Sequence, residues 1–141
     1  MTGLFAALSP LCALAVAAAT LGAGSSGGGT KRIDPGTWGA NGIALEITAS
    51  GAGIEYDCAH GTISGPILLD ADGRFDVEGR HFPEHGGPIR EGEDSDGRPV
   101  RYTGRVTGDT MTLAVTPAGS DTAISSHTLV RGRTGRLRKC R

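Results

Sequence analysis

The sequence predicts a small all-β protein, an up-and-down antiparallel barrel of about eight strands. Glycine contributes 24 of the 141 residues, whereas aromatic residues make up only 4%. Glycine weakens helices and marks turns, and no segment shows a sustained helical period. Apolar and polar residues instead alternate in short runs between turn residues, the pattern of half-buried strands. About eight such strands in a meander close into a barrel, and an open sandwich is the alternative.

The individual strands are predicted from side chains that alternate between two faces. In the run at 43–48, isoleucine and leucine occupy one face, and alanine, glutamate and threonine the other. Further strands are predicted at 54–58, 66–69, 74–80, 100–106, 110–116, 123–130 and 135–140. In the 123–130 run the pattern does not decide which face is apolar. Residues 81–98 break the alternation and are predicted to form the longest loop.

The N-terminal part differs from the rest of the chain. No charged side chain precedes Lys31, and residues 3–23 form an apolar run rich in alanine and leucine. Such a run, ending in small residues, is typical of a cleaved secretory signal, although its length also permits an uncleaved anchor. The predicted organisation is a signal peptide or membrane anchor at 1–24, a flexible Gly/Ser linker at 25–35 and a β-barrel domain at 36–141. We expect the domain to be secreted or periplasmic, and membrane-anchored if 1–24 is not cleaved.

Cysteine usage agrees with export. Cys12 falls within the predicted signal, which leaves Cys58 and Cys140 in the mature chain. Two cysteines in an exported domain most simply form one disulfide. Closing so long a loop stabilises a fold by about 4 kcal/mol in the chain-entropy model. The residues before Cys12 match a lipoprotein acylation motif poorly, so lipidation is not expected.

The only tryptophan stands where the linker ends. Gly36-x-Trp38 ahead of a roughly eight-stranded meander, with arginines near the C-terminus, resembles the lipocalin and avidin group of barrels. The resemblance implies that Trp38 plugs the closed end of the barrel and is packed by a basic residue from the last strand. The candidates for that residue are Arg131, Arg133, Arg136 and Arg138. Gly36 and Trp38 are therefore structural candidates. The domain is short for a lipocalin, which argues against a deep ligand cup.

A second resemblance rests on the run IEYDCAHGTI at 54–63, on Gly73-Arg74-Phe75 and on Lys139-Cys140. These segments resemble an uncharacterised family of small exported bacterial proteins, over residues 36–141. That family implies no activity. The Tyr56-x-Cys58 element is also similar to periplasmic lysozyme inhibitors, which are small disulfide-linked β-barrels.

Asp57, Cys58 and His60 belong to the densest polar group in the sequence. Asp57 and His60 could act as an acid–base pair, or bind a metal together with Glu55. The alternative is a strand end at which Cys58 is oxidised, His60 lies at the surface and Gly61 supplies the turn. Metal sites need three or four convergent ligands, so the strand end is the favoured interpretation.

The segment 81–85 offers two histidines with a carboxylate between them. Pro83 and the Gly86-Gly87-Pro88 run exclude a helix, so the two histidines cannot converge on one helical face. As a loop, the segment could still bind Zn²⁺ with His60, or it covers one mouth of the barrel as a solvated loop. The metal candidates are His60, His81 and His85. The binding candidates are Asp57, His60, His81, Glu84 and His85.

Charge and motif content argue against an enzyme and against a nucleic-acid-binding protein. Fourteen Lys and Arg against fifteen Asp and Glu leave a formal net charge of −1, which gives no field to attract nucleic acid. Ser125 and Ser126 beside His127 lie in a predicted strand, where neighbours point to opposite faces, and there is no G-x-S-x-G elbow. The carboxylates at 91–96 do not match a calcium loop. We expect neither catalysis nor a cofactor.

The C-terminal end is basic. Residues 131–141 contain six Lys and Arg. They could hold an anionic surface such as lipopolysaccharide, phospholipid or an acidic protein. The favoured alternative is an alternating strand with solvated arginines, one of them stacked on Trp38.

The predicted inward-facing side chains are bulky and leave little room for a ligand inside the barrel. They are Ile43, Leu45, Ile47, Ile54, Tyr56, Leu69, Phe75, Val77, Val100, Tyr102, Met111, Leu113, Val115 and Leu137.

The sequence therefore predicts a monomeric, exported, non-enzymatic binding or inhibitor module that presents loops 58–65 and 81–98 to an envelope or extracellular protein or glycan. The alternatives are a lipocalin-like carrier of a small apolar ligand and a metal-dependent activity at the histidines.

Overall fold

A computed structural model of the chain describes residues 30–92 and 96–141. In these residues the protein is all-β, and eight strands form one closed antiparallel barrel. The predicted fold class is thereby confirmed. The predicted signal or anchor at 1–24 and the first part of the 25–35 linker lie outside the described residues. Within the described ranges, no helix is long and apolar enough to cross a bilayer.

Ten strands follow one another along the described chain. They are β1 (Lys31–Arg32), β2 (Gly36–Ala40), β3 (Ile43–Ile47), β4 (Gly51–Tyr56), β5 (Ala59–Ser64), β6 (Leu68–Leu69), β7 (Arg74–Pro83), β8 (Arg98–Thr107), β9 (Thr110–Pro117) and β10 (Ser125–Arg131). All but β1 and β6 belong to the barrel, and those two pair with each other in a separate two-stranded sheet.

The barrel is a meander in which every strand pairs antiparallel with the next barrel strand along the chain. The connection between β5 and β7 contains β6, and there the pairing is limited to residues 59–62 with 80–83. β10 returns to β2 and closes the barrel. This closing seam has only two register pairs, Val130 with Gly39 and Arg131 with Trp38. The β7–β8 and β8–β9 ladders have eight each.

The strand number matches the prediction, but two members of the barrel differ. The predicted strands at 66–69 and 135–140 are not in the barrel, whereas β2 and β5 are. β5 turns Ala59 and Gly61 inward, and Gly61 lies against the Tyr102 hydroxyl. Bulky apolar residues therefore cannot alternate along most of β5. This is why its sequence lacks an ordinary strand pattern.

The long loop is shorter than predicted. His81 to Pro83 continue β7 and Arg98 opens β8, so the loop spans 84–97 and not 81–98. The alternation of apolar and polar side chains stops after Arg80, and Pro83 is not typical of a strand interior. A proline is tolerated at the edge or end of a strand, however, because its missing N–H interrupts no further ladder bond there.

The core consists of hydrophobic side chains that fill the interior. The buried residues are Ile33, Trp38, Ile43, Leu45, Ile47, Ala52, Ile54, Tyr56, Ala59, Ile63, Ile67, Phe75, Val100, Tyr102, Met111, Leu113, Val115 and Leu129. Three of the predicted inward residues, Leu69, Val77 and Leu137, are only half-buried. In the ambiguous 123–130 run, Leu129 is buried and Ile124 is exposed.

Trp38 lies in the core at the closing seam. Its side chain is 0% exposed, and the guanidinium carbon of Arg131 lies 4.6 Å from the ring centroid. Arg131 is the register partner of Trp38 across the seam, and its Nε lies 3.6 Å from an oxygen of Asp109. A cation over a tryptophan face is attracted by the ring quadrupole. Of the four candidate arginines, Arg131 is therefore the one that packs on the tryptophan.

The segment after β10, residues 132–141, crosses the outside of β2 and β3, and we call it the strap. The backbone of Arg136 accepts a hydrogen bond from Gly42 and donates one to Ala40, at 2.8 and 3.2 Å. Close approach requires glycine on both sides: a Cβ on Gly39 would collide with strap backbone, and one on Gly135 would collide with the Ile43 carbonyl. The predicted last strand is thus a strap on the barrel wall.

We predict that Gly39→Ala destabilises the protein by about 1–3 kcal/mol, because the new methyl group overpacks the contact between β2 and the strap. Gly53→Ala is the matched control, since Gly53 also lies in a barrel strand but has nothing within 4 Å of its Cβ position. Urea unfolding measures both variants. Equal urea midpoints for the two variants would contradict the close contact between Gly39 and the strap.

Candidate functional site

One end of the barrel, here called the upper rim, collects most of the predicted site residues. It consists of the β2–β3 turn at 41–42, the β4–β5 turn at 57–58, the β7–β8 loop at 84–97 and the β9–β10 connection at 118–124. The strap reaches this rim as well, since the Arg141 carbonyl packs against Gly86. Five separate parts of the sequence therefore meet here.

A disulfide ties the strap to the β4–β5 turn. Cys58 is bonded to Cys140, with a Cα–Cα distance of 5.1 Å and a sequence separation of 82. The predicted pairing is confirmed. Asp57 supports the junction twice: its carboxylate accepts a hydrogen bond from the Arg138 N–H at 2.7 Å, and its carbonyl accepts one from the Cys140 N–H at 3.2 Å. A disulfide points to an oxidising compartment outside the cytoplasm.

Next to the disulfide, five side chains form a continuous group on the outer face of the barrel. We call Glu55, His60, Phe82, Glu84 and Lys139 the rim cluster. His60 Nδ1 lies 2.8 Å from Glu84 Oε1, and Lys139 Nζ donates to Glu84 Oε2 at 3.0 Å. Lys139 also donates to Glu55 Oε2 at 2.5 Å. The rings of His60 and Phe82 stack at 4.6 Å with 5° between their planes.

Strand register explains why these residues meet. His60 on β5 pairs with Glu55 on β4 and with Phe82 on β7, so the three side chains form one row on the outer face. Glu84 follows directly after β7 and is held by a hydrogen bond from its N–H to the Cys58 carbonyl at 2.8 Å. Lys139 is brought in by the disulfide of its neighbour.

The charges of the rim cluster stabilise one another. Hydrogen bonds from Lys139 and from His60 hold the pKa of Glu84 below its usual value. Partial burial works against the charged form of Lys139, but its hydrogen bonds to Glu55 and Glu84 outweigh this and raise its pKa. Both charges are therefore present at neutral pH. The cluster is an ordered, half-exposed polar surface with one aromatic stack.

A groove of about 580 Å³ continues from the rim cluster down the barrel wall. Thr62 and Arg80 line it, and each lies two residues from a member of the cluster on the same strand face. Glu78 and Arg101 lie further along, and Arg101 is paired with Asp76. The groove thus presents both signs of charge beside the aromatic stack.

His81 belongs to a different environment, on the inner face of β7. Its ring centroid lies 5.4 Å from that of Tyr56, and the His127 ring lies 5.7 Å from Tyr56 on another side. Three buried polar atoms in this interior group have no hydrogen-bond partner in the described part of the chain: Tyr56 Oη, His81 Nδ1 and His127 Nε2. The Tyr102 hydroxyl, by contrast, donates to the Arg80 carbonyl at 2.8 Å.

Burial controls the ionisation of this interior group. It raises the pKa of Tyr102 to about 12 and that of Tyr56 further still. Burial also lowers the pKa of His127, and burial together with the charges of Arg98 and His60 lowers that of His81. Both histidines are therefore neutral at neutral pH, as expected for imidazoles that lose water contact.

The three candidate metal ligands are not brought together. His60 points outward and His81 inward, because they occupy opposite faces of neighbouring strands. His85 lies in the loop beyond, where its Nδ1 is 3.0 Å from the Gly86 carbonyl. Among residues 30–92 and 96–141, no group of three or more His, Cys, Asp and Glu is placed to hold a metal ion.

Chemically, His60 and Glu84 have the geometry of a base oriented by a carboxylate. In the described ranges, however, no hydroxyl group is hydrogen-bonded to His60, and both cysteines are in the disulfide. Of the predicted residues, His60 and Glu84 meet, whereas the Asp57 carboxylate is bonded to the Arg138 N–H and not to His60. Sequence reasoning missed Phe82 and Lys139, and it weighed Glu55 only as a metal ligand. Two signals were available in the sequence. Pairing across the two-residue Asp57-Cys58 turn places Glu55 opposite His60, and Lys139 is the neighbour of Cys140.

The chain matches no protein-family model, and neither the curated proteins nor the solved structures gave a significant match. The resemblances to lipocalin-like barrels, to exported bacterial proteins and to lysozyme inhibitors stay predictions that rest on the residues quoted for them.

We predict that replacing Cys58 and Cys140 by serine lowers the free energy of unfolding by about 4 kcal/mol, because the unfolded chain is no longer closed into a long loop. Denaturant unfolding measures the loss. Reductant should destabilise the native protein and leave the double-serine variant unchanged. A native midpoint insensitive to reductant would contradict the role assigned to the disulfide.

A second prediction concerns pH. Because the pKa values of His81 and His127 are lowered, the unfolded chain binds more protons than the folded one below about pH 6.5. The stability that the neutral histidines provide is complete above that pH and decreases as the pH falls through it. The lowered pKa of Glu84 acts only below its ordinary value of 4.5.

The urea midpoint is therefore expected to decrease when the pH is lowered from 7.5 to 5.5. The decrease should be smaller in a His127→Phe variant, which keeps a flat ring without a titrating group. An equal fall in both proteins would show that His127 does not contribute.

Proposed function

We propose that the protein is an exported, non-enzymatic binding module, secreted or periplasmic, whose contact surface is the rim cluster with its adjoining groove. The observation that carries the proposal is the construction of this surface. A disulfide and three charge-assisted hydrogen bonds fix an exposed group of side chains that the barrel does not need for its core. Pre-ordering of side chains lowers the entropic cost of association.

Packing of the interior favours this function over a carrier of apolar molecules. Trp38, Ile43, Tyr102, Met111 and Leu129 are each 0% exposed, so no solvent-sized space adjoins them. A barrel of eight strands is just wide enough for its own side chains to fill it. The lipocalin-like alternative would need a cup where these side chains lie.

The chemistry of the surface indicates the kind of partner. The groove offers glutamate, arginine and threonine side chains, and the stacked His60 and Phe82 rings offer one flat aromatic contact. Both signs of charge are present, so the partner is expected to be polar and rich in hydrogen-bonding groups. A protein surface or a glycan of the cell envelope fits this description better than an apolar small molecule.

Site-specific photo-crosslinking in the host tests the proposal. A photoreactive amino acid is placed at Thr62 or Ile89 on the proposed side, and at Ala49 or Thr107 at the opposite end of the barrel, all of them exposed positions. Discrete crosslinked species are expected from the first pair only. They should disappear when Lys139→Ala is added, because that substitution loosens the rim cluster without touching the core.

Identical crosslinks from both ends, or none from the upper rim, would contradict the proposed surface. Native mass spectrometry of the protein purified from its host separates the carrier alternative: a bound lipid or pigment would favour the carrier and count against the present proposal.

A further inference from the structure

The strap carries four arginines whose charges are not neutralised by neighbours. Arg133, Arg136, Arg138 and Arg141 are exposed. In the described part of the chain, the ion pairs involve Asp76, Glu84, Glu55 and Asp109, and none of them reaches these four guanidinium groups within 4 Å. The two other cations of this region do have ion pairs: Arg131 lies near Asp109, and Lys139 is held by two carboxylates.

The carboxylates near the strap are hydrogen-bonded to groups other than these guanidinium groups. Asp57 accepts the Arg138 N–H, and Glu55 and Glu84 accept Lys139. An acidic partner would therefore meet four arginines without an ion pair in the described chain, although the whole sequence has a formal net charge of −1. A local excess of one sign attracts ligands of the opposite charge.

The backbone that carries these arginines is fixed at several points. Gly132 donates to the Thr37 carbonyl at 2.7 Å, Arg136 is bonded to β2 and to the following turn, and Cys140 is covalently attached. Successive arginines are two or three residues apart, which is at most roughly 10 Å along the chain. The result is four exposed arginines on a backbone fixed at several points.

We propose that the strap is a binding site for a linear phosphate-bearing polymer, which lies along the barrel wall and contacts successive arginines. Charges that repeat along a chain match charges that repeat along the strap. Guanidinium groups bind phosphate through paired N–H donors, which a lysine row would not reproduce. This site uses residues outside the rim cluster, so it can be tested independently of the proposed function.

A chain-like ligand fits better than a flat anionic membrane. Peripheral membrane binding combines cations with apolar side chains that enter the bilayer. Among the described residues, the most exposed large apolar side chain is Ile89, at 86%, and it lies in the 84–97 loop and not on the strap. None of the strap residues, 132–141, is an exposed large apolar side chain.

The test uses the full-length protein and defined probes: sodium polyphosphate, inorganic phosphate, poly-glutamate and phosphatidylglycerol vesicles. The strap variant carries R133Q, R136Q, R138Q and R141Q. The control variant removes the same charge elsewhere with K31Q, R32Q, R74Q and R90Q, four exposed cations that also lack an ion pair in the described chain. Trp38 fluorescence and urea midpoints confirm that both variants fold.

The native protein is expected to bind polyphosphate with a strong salt dependence. The strap variant should bind at least 10-fold more weakly and reduce the slope of log Kd against log salt by about 3, as expected for lost phosphate contacts. The control variant should lose less than 3-fold. Substituting the same four arginines by lysine should restore only part of the affinity.

Several results would overturn the proposal. These are equal losses in the strap and control variants, an unchanged strap variant, or strap-dependent binding that is tighter to vesicles or to poly-glutamate than to polyphosphate. If inorganic phosphate competes as well as polyphosphate at equal phosphate concentration, the strap is a site for a single anion and not for a polymer.

Discussion

The structure depends on one short junction, the seam at which β10 returns to β2. Closure rests on two register pairs, far fewer than in the ladders on the opposite side of the barrel. Trp38 strengthens this junction from inside, where it is buried and stacked under Arg131. The strap strengthens it from outside by crossing over Gly39. A barrel has no free edges only while such a seam is closed.

The strap links this closure to the surface that we propose to be functional. It begins at the seam, crosses β2 and β3, and is bonded through Cys140 to the turn beside His60. Lys139 is the neighbour of Cys140 and contacts the rim cluster beside that bond. One covalent link therefore ties the strap to the turn between the strands that carry Glu55 and His60. The barrel interior contributes stability, and the binding surfaces that we propose lie on the outer face of the barrel and on the strap.

Much of the fold could be predicted because alternation marks the strands with bulky inward residues, such as β9 with its Met111 and Leu113. The prediction was wrong where close packing requires small residues. β5 turns Gly61 toward Tyr102, and β2 carries Gly39 under the strap, so neither shows ordinary alternation. The Asn41-Gly42 turn, with φ of +78° at Gly42, was the available signal for β2. The site was predicted in part, since the contacts of Lys139 depend on a long-range disulfide.

We infer that the disulfide-bound strap holds the seam closed. Hydrogen exchange, measured by mass spectrometry on oxidised and reduced protein under native conditions, tests this inference. Reduction should lower protection in β2, β10 and the strap by more than the loss that β7, β8 and β9 share through the lower free energy of global unfolding. An equal loss in all strands, or unchanged protection at the seam, would contradict this.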